Sequence, residues 1–576
     1  MNCAAGLKSY LRTNSSTPST CIRILTAALL FCLLLFGVPA AADYCISEFC
    51  ADGYASGDGD EYFVLDGTGD LAEWSVTDGE GTILFPHASG TVIVALNAAD
   101  YYAVHGTYPD YEIKPGLDFI PDVSVEAGQF QMANDGDELT LLHNGKAVQT
   151  VSWPKEVSKG RGVVHVYKDG VWDSRVLKIG QTRLVPETYS ADKVTLFVSP
   201  DCTYDVLLGV IADAKSSIDI TMYEFTHPDI AKALADAASR GVSVRLFMEG
   251  GPVGGISNAE KGTLDYLQRA GVSVYTIEST SDFPARYRFV HAKYLVADSY
   301  VTVVLSENFK ESGIPRSGES GNRGWGAAVY DTDVAEYFSS VFTADLAGYD
   351  VYERAAGTYT IPNYSGGDTI SPVFEPVTVY NVKVTPVFAP DTSYLIGDIL
   401  KSASSSVAIQ QAYITRYPGT DEHPWLSLAV NAAKKGADVR VQLDGMYYNT
   451  EDDEDNDELA ADINRMGLSN LKAQIVADRE GILKVHNKGM IVDGRYVLIS
   501  SINWNYNSAN NNREAALILE SPDAAAYYTK VFDYDWDRYV LDNPASYALG
   551  FDVRFLIGAL IILAGVGFVI FRRVRK

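Results

Sequence analysis

Cysteine is scarce in this chain: six residues in 576, of which Cys3, Cys21 and Cys32 fall in the first 42. Cys45, Cys50 and Cys202 remain, and no Cys/His spacing suits a zinc site. Positive charge is also short. There are 46 Lys and Arg against 74 Asp and Glu, a formal charge of −28. That deficit excludes polyanion binding through a broad basic surface, while leaving room for a local basic groove. Long apolar runs are missing from the interior. The two that exist, Ile24–Val38 and Phe555–Phe571, stand at the ends.

Those ends read as addresses rather than fold. Residues 1–42 hold Lys8, Arg12 and Arg23, no acid, the apolar run, and then Pro39-Ala40-Ala41-Ala42. This is the pattern of a secretory signal peptide cleaved near Ala42. Phe555–Phe571 has 17 uncharged residues and is followed by Arg572, Arg573, Val574, Arg575 and Lys576. A spanning helix with a basic cytoplasmic tail (572–576) is expected, with the body outside the cytoplasm. Stripped of the +3 leader and the +4 of residues 555–576, the body carries −35. In an oxidising compartment a Cys45–Cys50 disulfide is expected.

Residues 43–188 alternate short strand-forming runs with Gly, Asp and Asn turns. The runs include Glu61–Leu65, Thr82–Phe85, Thr91–Leu96, Glu138–Leu142 and Ala147–Trp153. Such spacing predicts a β-sandwich. From about Ala191 strands alternate with helices, and the chain repeats itself. Thr195–Asp201 parallels Thr385–Asp391. Gly241, Arg245 and His291 return as Gly436, Arg440 and His486, each 195 residues on. Two α/β layers follow, 189–355 and 376–541, joined by a Gly-, Pro- and Tyr-rich linker at 356–375. His227 and His423 each precede Pro and read as residues that begin helices.

Within the repeat one short pattern occurs twice: His291, Lys293, Asp298 and His486, Lys488, Asp493. An Asn follows each His by 17 residues, Asn308 and Asn503. On a strand, positions i and i+2 share a face, so each His and Lys point the same way. Two copies packed about a two-fold axis would surround one phosphate with two Lys and two Asn, neutralising its oxygens. One neutral His could attack phosphorus; the other, protonated, could serve the leaving alcohol and then water. The chemistry calls for no metal and no cofactor.

The duplicated motifs, with Ser500-Ser501-Ile502-Asn503-Trp504 and Asn512-Arg513-Glu514, resemble the phospholipase D superfamily over about Ala191–Leu541, roughly 60% of the chain. The resemblance implies attack by His291, acid/base work by His486, and a Glu that orients the motif His. Glu514 stands 28 residues after His486, and Glu319 stands 28 after His291. The first repeat departs from the pattern at Leu305, Phe309 and Gly324. Either Glu319 replaces the missing Glu, or the first His is less well held. In the family pattern Asp298 and Asp493 are more structural than chemical. Before the repeat, Leu71–Asp78, Phe85-Pro86 and Ala133–Leu141 resemble a lamin-tail domain, which implies an immunoglobulin-like sandwich.

The expected whole is multidomain: a sandwich, two pseudo-symmetric α/β repeats and a C-terminal membrane helix. The expected activity is metal-independent hydrolysis of a phosphodiester, foremost a phospholipid, beside a membrane. A nuclease, a phosphatidyltransferase and an inactive surface-binding protein stay open as alternatives.

Overall fold

The computed structural model describes residues 44–538, apart from 127, 135, 155–160, 169, 174, 282, 421, 451–454 and 477–480. The expected leader (1–42), membrane span and basic tail lie outside the described residues. Among the described residues no helix is long and apolar enough to cross a membrane. The chain falls into two compact units, divided between Ser174 and Arg175.

In the first unit, strands rich in Val, Ile and aromatic residues form two sheets. One runs Val171–Trp172, Val163–Lys168, Cys45–Cys50, Tyr62–Asp66, Val92–Ala95, Tyr111–Glu112. The other runs Ser124–Glu126, Thr82–Leu84, Trp74–Thr77, Gly136–His143, Lys146–Pro154. Their inward positions share one core, in which Ile46, Phe63 and Val94 of the first sheet meet Trp74, Val76, Leu139 and Leu141 of the second. Alternation along the strands produces this two-layer arrangement. The expected disulfide does not form, and both thiols are free. Cys45 and Cys50 cap opposite ends of one strand, about 16 Å apart at the rise of an extended chain, far beyond the reach of a disulfide.

The second unit contains both repeats in one sheet of 16 strands. In the first repeat these are β1 (Tyr189–Ser199), β2 (Ser217–Met222), β3 (Ser243–Glu249), β4 (Ser273–Ile277), β5 (Tyr294–Ala297), β6 (Val301–Leu305), β7 (Gly321–Tyr330) and β8 (Val351–Glu353). In the second they are β9 (Val377–Ala389), β10 (Ser406–Gln411), β11 (Asp438–Asp444), β12 (Leu471–Val476), β13 (Ile482–Val485), β14 (Lys488–Val492), β15 (Tyr496–Ser500) and β16 (Glu514–Glu520). The spatial order is β8-β4-β3-β2-β5-β6-β7-β1-β9-β16-β15-β14-β10-β11-β12, with β13 paired to β7. Apart from β8, the order reads the same from either end. The two-fold axis passes through the antiparallel β1–β9 pair, in which Tyr189 faces Val384 and Leu196 faces Val377. Two sheets have thus fused edge to edge, which leaves no unpaired inner edge.

His227 and His423 behave as their sequence context predicts. Each imidazole accepts backbone N–H bonds at the start of a helix, Pro228–Ser239 and Pro424–Lys434. Residues 181–184, which precede β1, pack on the body. Leu184 N–H and the Thr182 hydroxyl both donate to Asp391. In the mirror position Val373 and Phe374 N–H, which precede β9, donate to Asp201. Each repeat therefore holds the lead segment of the other.

Candidate active site

Two buried arginines anchor the site. Arg513 lies between Asp345 and Asp391, at 2.6 and 2.9 Å. Its counterpart Arg323 lies between Asp201 and Asp535, at 2.7 and 2.9 Å. Each arginine thus bonds one acid from each repeat. Their carbonyls turn toward the motif histidines: His291 and Ala292 N–H both donate to Arg513 O at 2.8 Å, and His486 N–H donates to Arg323 O at 2.9 Å. Each motif is therefore clamped to the opposite repeat. Behind it stands a second clamp at the end of a central strand. Glu249 accepts from Val290 N–H at 2.6 Å, and Asp444 accepts from Val485 N–H at 2.7 Å.

The side chains follow the same crossed pattern. His291 Nδ1 meets Glu514 Oε2 at 2.8 Å. Ser501 Oγ, at 2.6 Å, and Asn512 Nδ2, at 3.0 Å, also donate to Glu514. His486 Nδ1 meets Glu307 Oε2 at 3.2 Å, and Asn322 Nδ2 donates to the same oxygen at 2.9 Å. With both Nδ1 atoms engaged, each Nε2 is left for a substrate. Lys293 and Lys488 are fully buried and donate to the carbonyls of His291 and His486 at 2.7 and 2.5 Å. Asn308 and Asn503 are buried as well, and among the described residues the Oδ1 of each has no partner. Asn308 Nδ2 donates to Glu224 at 3.2 Å, and buried amide oxygens left unpaired in this way mark a place for a polar ligand.

Electrostatics tie these groups together. Burial lowers both histidines below their ordinary value, and Lys488 depresses His486 further. Burial brings Lys293 down to about 8. Although burial opposes it, the His291 charge and its hydrogen bond hold the Glu514 carboxyl below its usual range. Burial pushes Glu307 up to about 7, against the pull of Lys488. The first histidine thus has the firmer anionic partner.

Several expectations change here. Glu514 was expected to serve the histidine of its own repeat, yet it binds His291 of the other. Glu319 is not beside His291. Its carboxylate accepts from the Tyr364 hydroxyl and Gly367 N–H of the linker. The equal spacing of 28 misleads because the loop from Asn308 to Asn322 is five residues longer than that from Asn503 to Asn512. Strand register instead makes Gly324, facing Ser199, the counterpart of Glu514, facing Ala389. The residue that sequence reasoning missed is Glu307. Its only signal was an acid inside Ser306-Glu307-Asn308, where the second copy has Ile502. Glu249 and Asp444 were missed as well, although both are acids followed by Gly at matching strand ends.

Asp298 and Asp493 stand at the far ends of their strands, away from the histidines. Asp298 accepts from Lys215, Ser216 and Ser217 N–H, and Asp493 from Ser404, Ser405 and Ser406 N–H. Both have positive φ, 55° and 54°. They lock a turn. Tyr223 packs edge-on against His291 with ring centroids 4.8 Å apart, and so lines the cleft. Among the described residues no group of His, Cys, Asp and Glu could hold a metal ion.

Comparison with known proteins matches this architecture. The family "Cardiolipin synthase, PLD-like domain" matches twice, at residues 207–346 and 396–536, once per repeat. Mitochondrial cardiolipin hydrolase of Xenopus tropicalis is 32% identical over 93 residues, 16% of this chain and 43% of that protein. The chain thus spans less than half the length of that curated relative. Among solved structures, phosphatidylserine synthase of Haemophilus influenzae Rd KW20 aligns over 67% of this chain and 96% of its own, at 14% identity and a TM-score of 0.48. Nuc of Salmonella typhimurium aligns over 29% and 99%, at 23% identity and a TM-score of 0.24. With a PLD-like domain matched on each half of a single paired-histidine site, the chain belongs to the phospholipase D superfamily.

Proposed function

We propose that this protein hydrolyses a phosphodiester, foremost that of a phospholipid head group, through a covalent phosphohistidine. The carrying observation is the crossed pair His291–Glu514 and His486–Glu307 around two buried lysines. Nδ1–H of His291 donates to ionised Glu514, which leaves the Nε2 lone pair for attack on phosphorus. As the N–P bond forms, the P–O bond to the alcohol breaks, and protonated His486 gives its proton to the departing oxygen. Both histidines have lowered proton affinity, but the anionic phosphate raises that of His486 once bound. Water then gives a proton to His486, attacks phosphorus and breaks the N–P bond, releasing the phosphomonoester. Lys293, Lys488 and the two Asn stabilise the equatorial oxygens throughout.

The lipid reading is supported by apolar residues left exposed close to the site. Val253, which lines the cavity beside His291, is 79% exposed. Leu483, three residues ahead of His486, is 37% exposed. The expected membrane span at 555–571 would hold such a rim near head groups. A second reading, cleavage of single-stranded nucleic acid, is favoured by Tyr223, Phe289 and Tyr413 lining the same cavity as Arg288, since stacking rings beside cations suit single strands. Parallel assays on labelled phospholipid vesicles and on single-stranded DNA, with acid-free quenching to trap the adduct, separate the readings. Turnover of lipid with a trapped adduct that His291→Ala abolishes is expected. If no phosphodiester yields an adduct on either histidine, the mechanism is wrong.

A further inference from the structure

Asn308 and Asn503 are held differently. Glu224 stands just beyond the end of β2, next to Tyr223, whose ring packs on His291 at 4.8 Å and lies 5.5 Å from Lys293 Nζ. Its carboxylate accepts from Asn308 Nδ2 at 3.2 Å. Lys310 Nζ reaches both oxygens of the same carboxylate, each at 3.2 Å. Phe225 and Phe309 form a β-bridge in the first repeat, and Ile414 and Trp504 form the equivalent bridge in the second. Glu224 and Lys310 therefore correspond to Tyr413 and Asn505. There Asn505 Nδ2 donates to the Tyr413 hydroxyl at 3.1 Å, and among the described residues neither side chain is bonded to Asn503. The anchor on Asn308 is thus a one-sided addition to a two-fold site.

That anchor decides which end of the amide faces which way. A carboxylate paired with an ammonium accepts and does not donate. Turning the amide over would set its oxygen against the carboxylate, so Nδ2 must point to Glu224. As an ion pair Lys310–Glu224 contributes little, because the two side chains are 39% and 27% exposed; its effect is orientation. Asn308 Oδ1 is turned away from Glu224 and is buried without a partner, while the second Nδ2 hydrogen remains for a phosphoryl oxygen. A carbonyl oxygen needs a hydrogen to accept. The phosphoryl oxygens of a diester anion carry none, and the two lysines donate to the histidine carbonyls instead. An attacking water brings two hydrogens, one for His486 and one for a further acceptor. An alcohol brings one, and has nothing left for that acceptor.

We propose that Glu224 is a positioning residue that holds Asn308 Oδ1 as the acceptor for the second hydrogen of water, and that this contact selects water over alcohols in resolving the phosphohistidine. The water oxygen bonds to phosphorus as one of its hydrogens passes to His486 Nε2. The N–P bond breaks and its electron pair returns to His291 Nε2. The hydrogen held by Asn308 Oδ1 stays with the product as P–OH. The inference rests on the phosphodiesterase reading.

The test offers bis(p-nitrophenyl) phosphate to the full chain in detergent and aqueous methanol, and measures initial formation of p-nitrophenyl phosphate and of its methyl ester. The parent should favour hydrolysis beyond the molar ratio of water to methanol. In E224Y/K310N, which copies the pair of the second repeat, the share of methyl ester should rise about fivefold, the scale of one lost hydrogen bond. Glu224→Ala, a truncation at a partly exposed position, should do the same and decides alone if the double variant does not fold. Glu224→Gln, whose Oε1 can still accept from Asn308, should keep the ratio of the parent. A partition unchanged in Glu224→Ala, a shift of equal size in Glu224→Gln, or a parent that prefers methanol overturns the proposal while leaving the phosphodiesterase reading in place. No cleavage by the parent overturns that reading and this inference with it.

Discussion

A Cβ added to Gly324 would lie 2.4 Å from Oε1 of Glu307. The Glu307 carboxylate therefore fills the space that a glutamate at 324 would enter. In the second repeat the arrangement is reversed, with Glu514 at the strand position and Ile502 at the turn position. The first repeat has kept the orienting carboxylate and moved its point of attachment from β7 to the end of β6. Glu307→Gln should lower kcat/KM by about 10²-fold, the scale of losing a well-placed acid/base partner. Gly324→Glu alone should overpack the site and destabilise by about 1–3 kcal/mol. Combining Glu307→Ile with Gly324→Glu rebuilds the second repeat's pattern and should recover most of the lost rate. Full activity in Glu307→Gln would show that Glu307 does not orient His486.

The same carboxylate sets a pH dependence. Burial raises Glu307 from 4.5 to about 7, so it is an ionised acceptor for the Nδ1–H of His486 only above that value. Burial lowers Lys293 to about 8, so phosphate neutralisation weakens above that. A pH profile of kcat/KM, which reports the free enzyme, should be bell-shaped with its maximum between these limbs. Glu249 is also pushed up to about 7 by burial, so variants must identify the acidic limb. It should shift in Glu307→Gln and persist in Glu249→Gln, whose amide oxygen can still accept from Val290. The stability sign is opposite. A carboxyl whose pKa is raised on folding favours the native state at low pH, and that contribution is lost as pH rises from about 4.5 to about 7. Relative to the parent, Glu307→Gln should gain stability at pH 8 and almost none below about pH 4, as urea midpoints would report.

Much of this site was legible because strand alternation carries side-chain direction. His and Lys two residues apart must share a face, and a repeat in register implies a two-fold partner. The crossing was illegible, because nothing along the chain says that His291 backs onto Arg513 rather than Arg323. That follows from β1 pairing with β9, a long-range choice made by the packing of two sheets. Glu307 was hidden for a related reason: a lone acid in a turn looks solvated until the neighbouring strand is known to carry Gly324. Spacing misled in two places where it was used without geometry. The 28-residue match of Glu319 failed on a longer loop, and the Cys45–Cys50 match failed because a strand holds its ends apart.

The two motif aspartates should separate structure from chemistry. Asp493 is brought to about 2, because its hydrogen bonds to Ser406, Ser405 and Ser404 outweigh burial. Its contribution to stability is present above the ordinary carboxyl value and is lost as pH falls toward about 2. Asp493→Asn and Asp298→Asn should each cost about 1–2 kcal/mol in urea unfolding, the scale of a lost charged acceptor at a partly exposed turn. The positive φ at both positions is tolerable for Asn. Turnover per folded molecule should stay within a few-fold of the parent. A loss of turnover by 10³ without a loss of stability would return these residues to the reaction.

The buried arginines should behave in the opposite way, because their charges have no access to water. Arg513→Ala strands Asp345 and Asp391 without their cation, and breaking a buried ion pair costs about 3–5 kcal/mol. Arg323→Ala does the same to Asp201 and Asp535. Each arginine carbonyl also receives the opposite motif histidine's N–H, so each loss should loosen one histidine specifically. If Arg513→Ala disturbs the His291 imidazole NMR signals more than those of His486, and Arg323→Ala does the reverse, the crossed clamp is upheld. Equal disturbance of both histidines by either variant would mean that the arginines support the sheet as a whole rather than one histidine each.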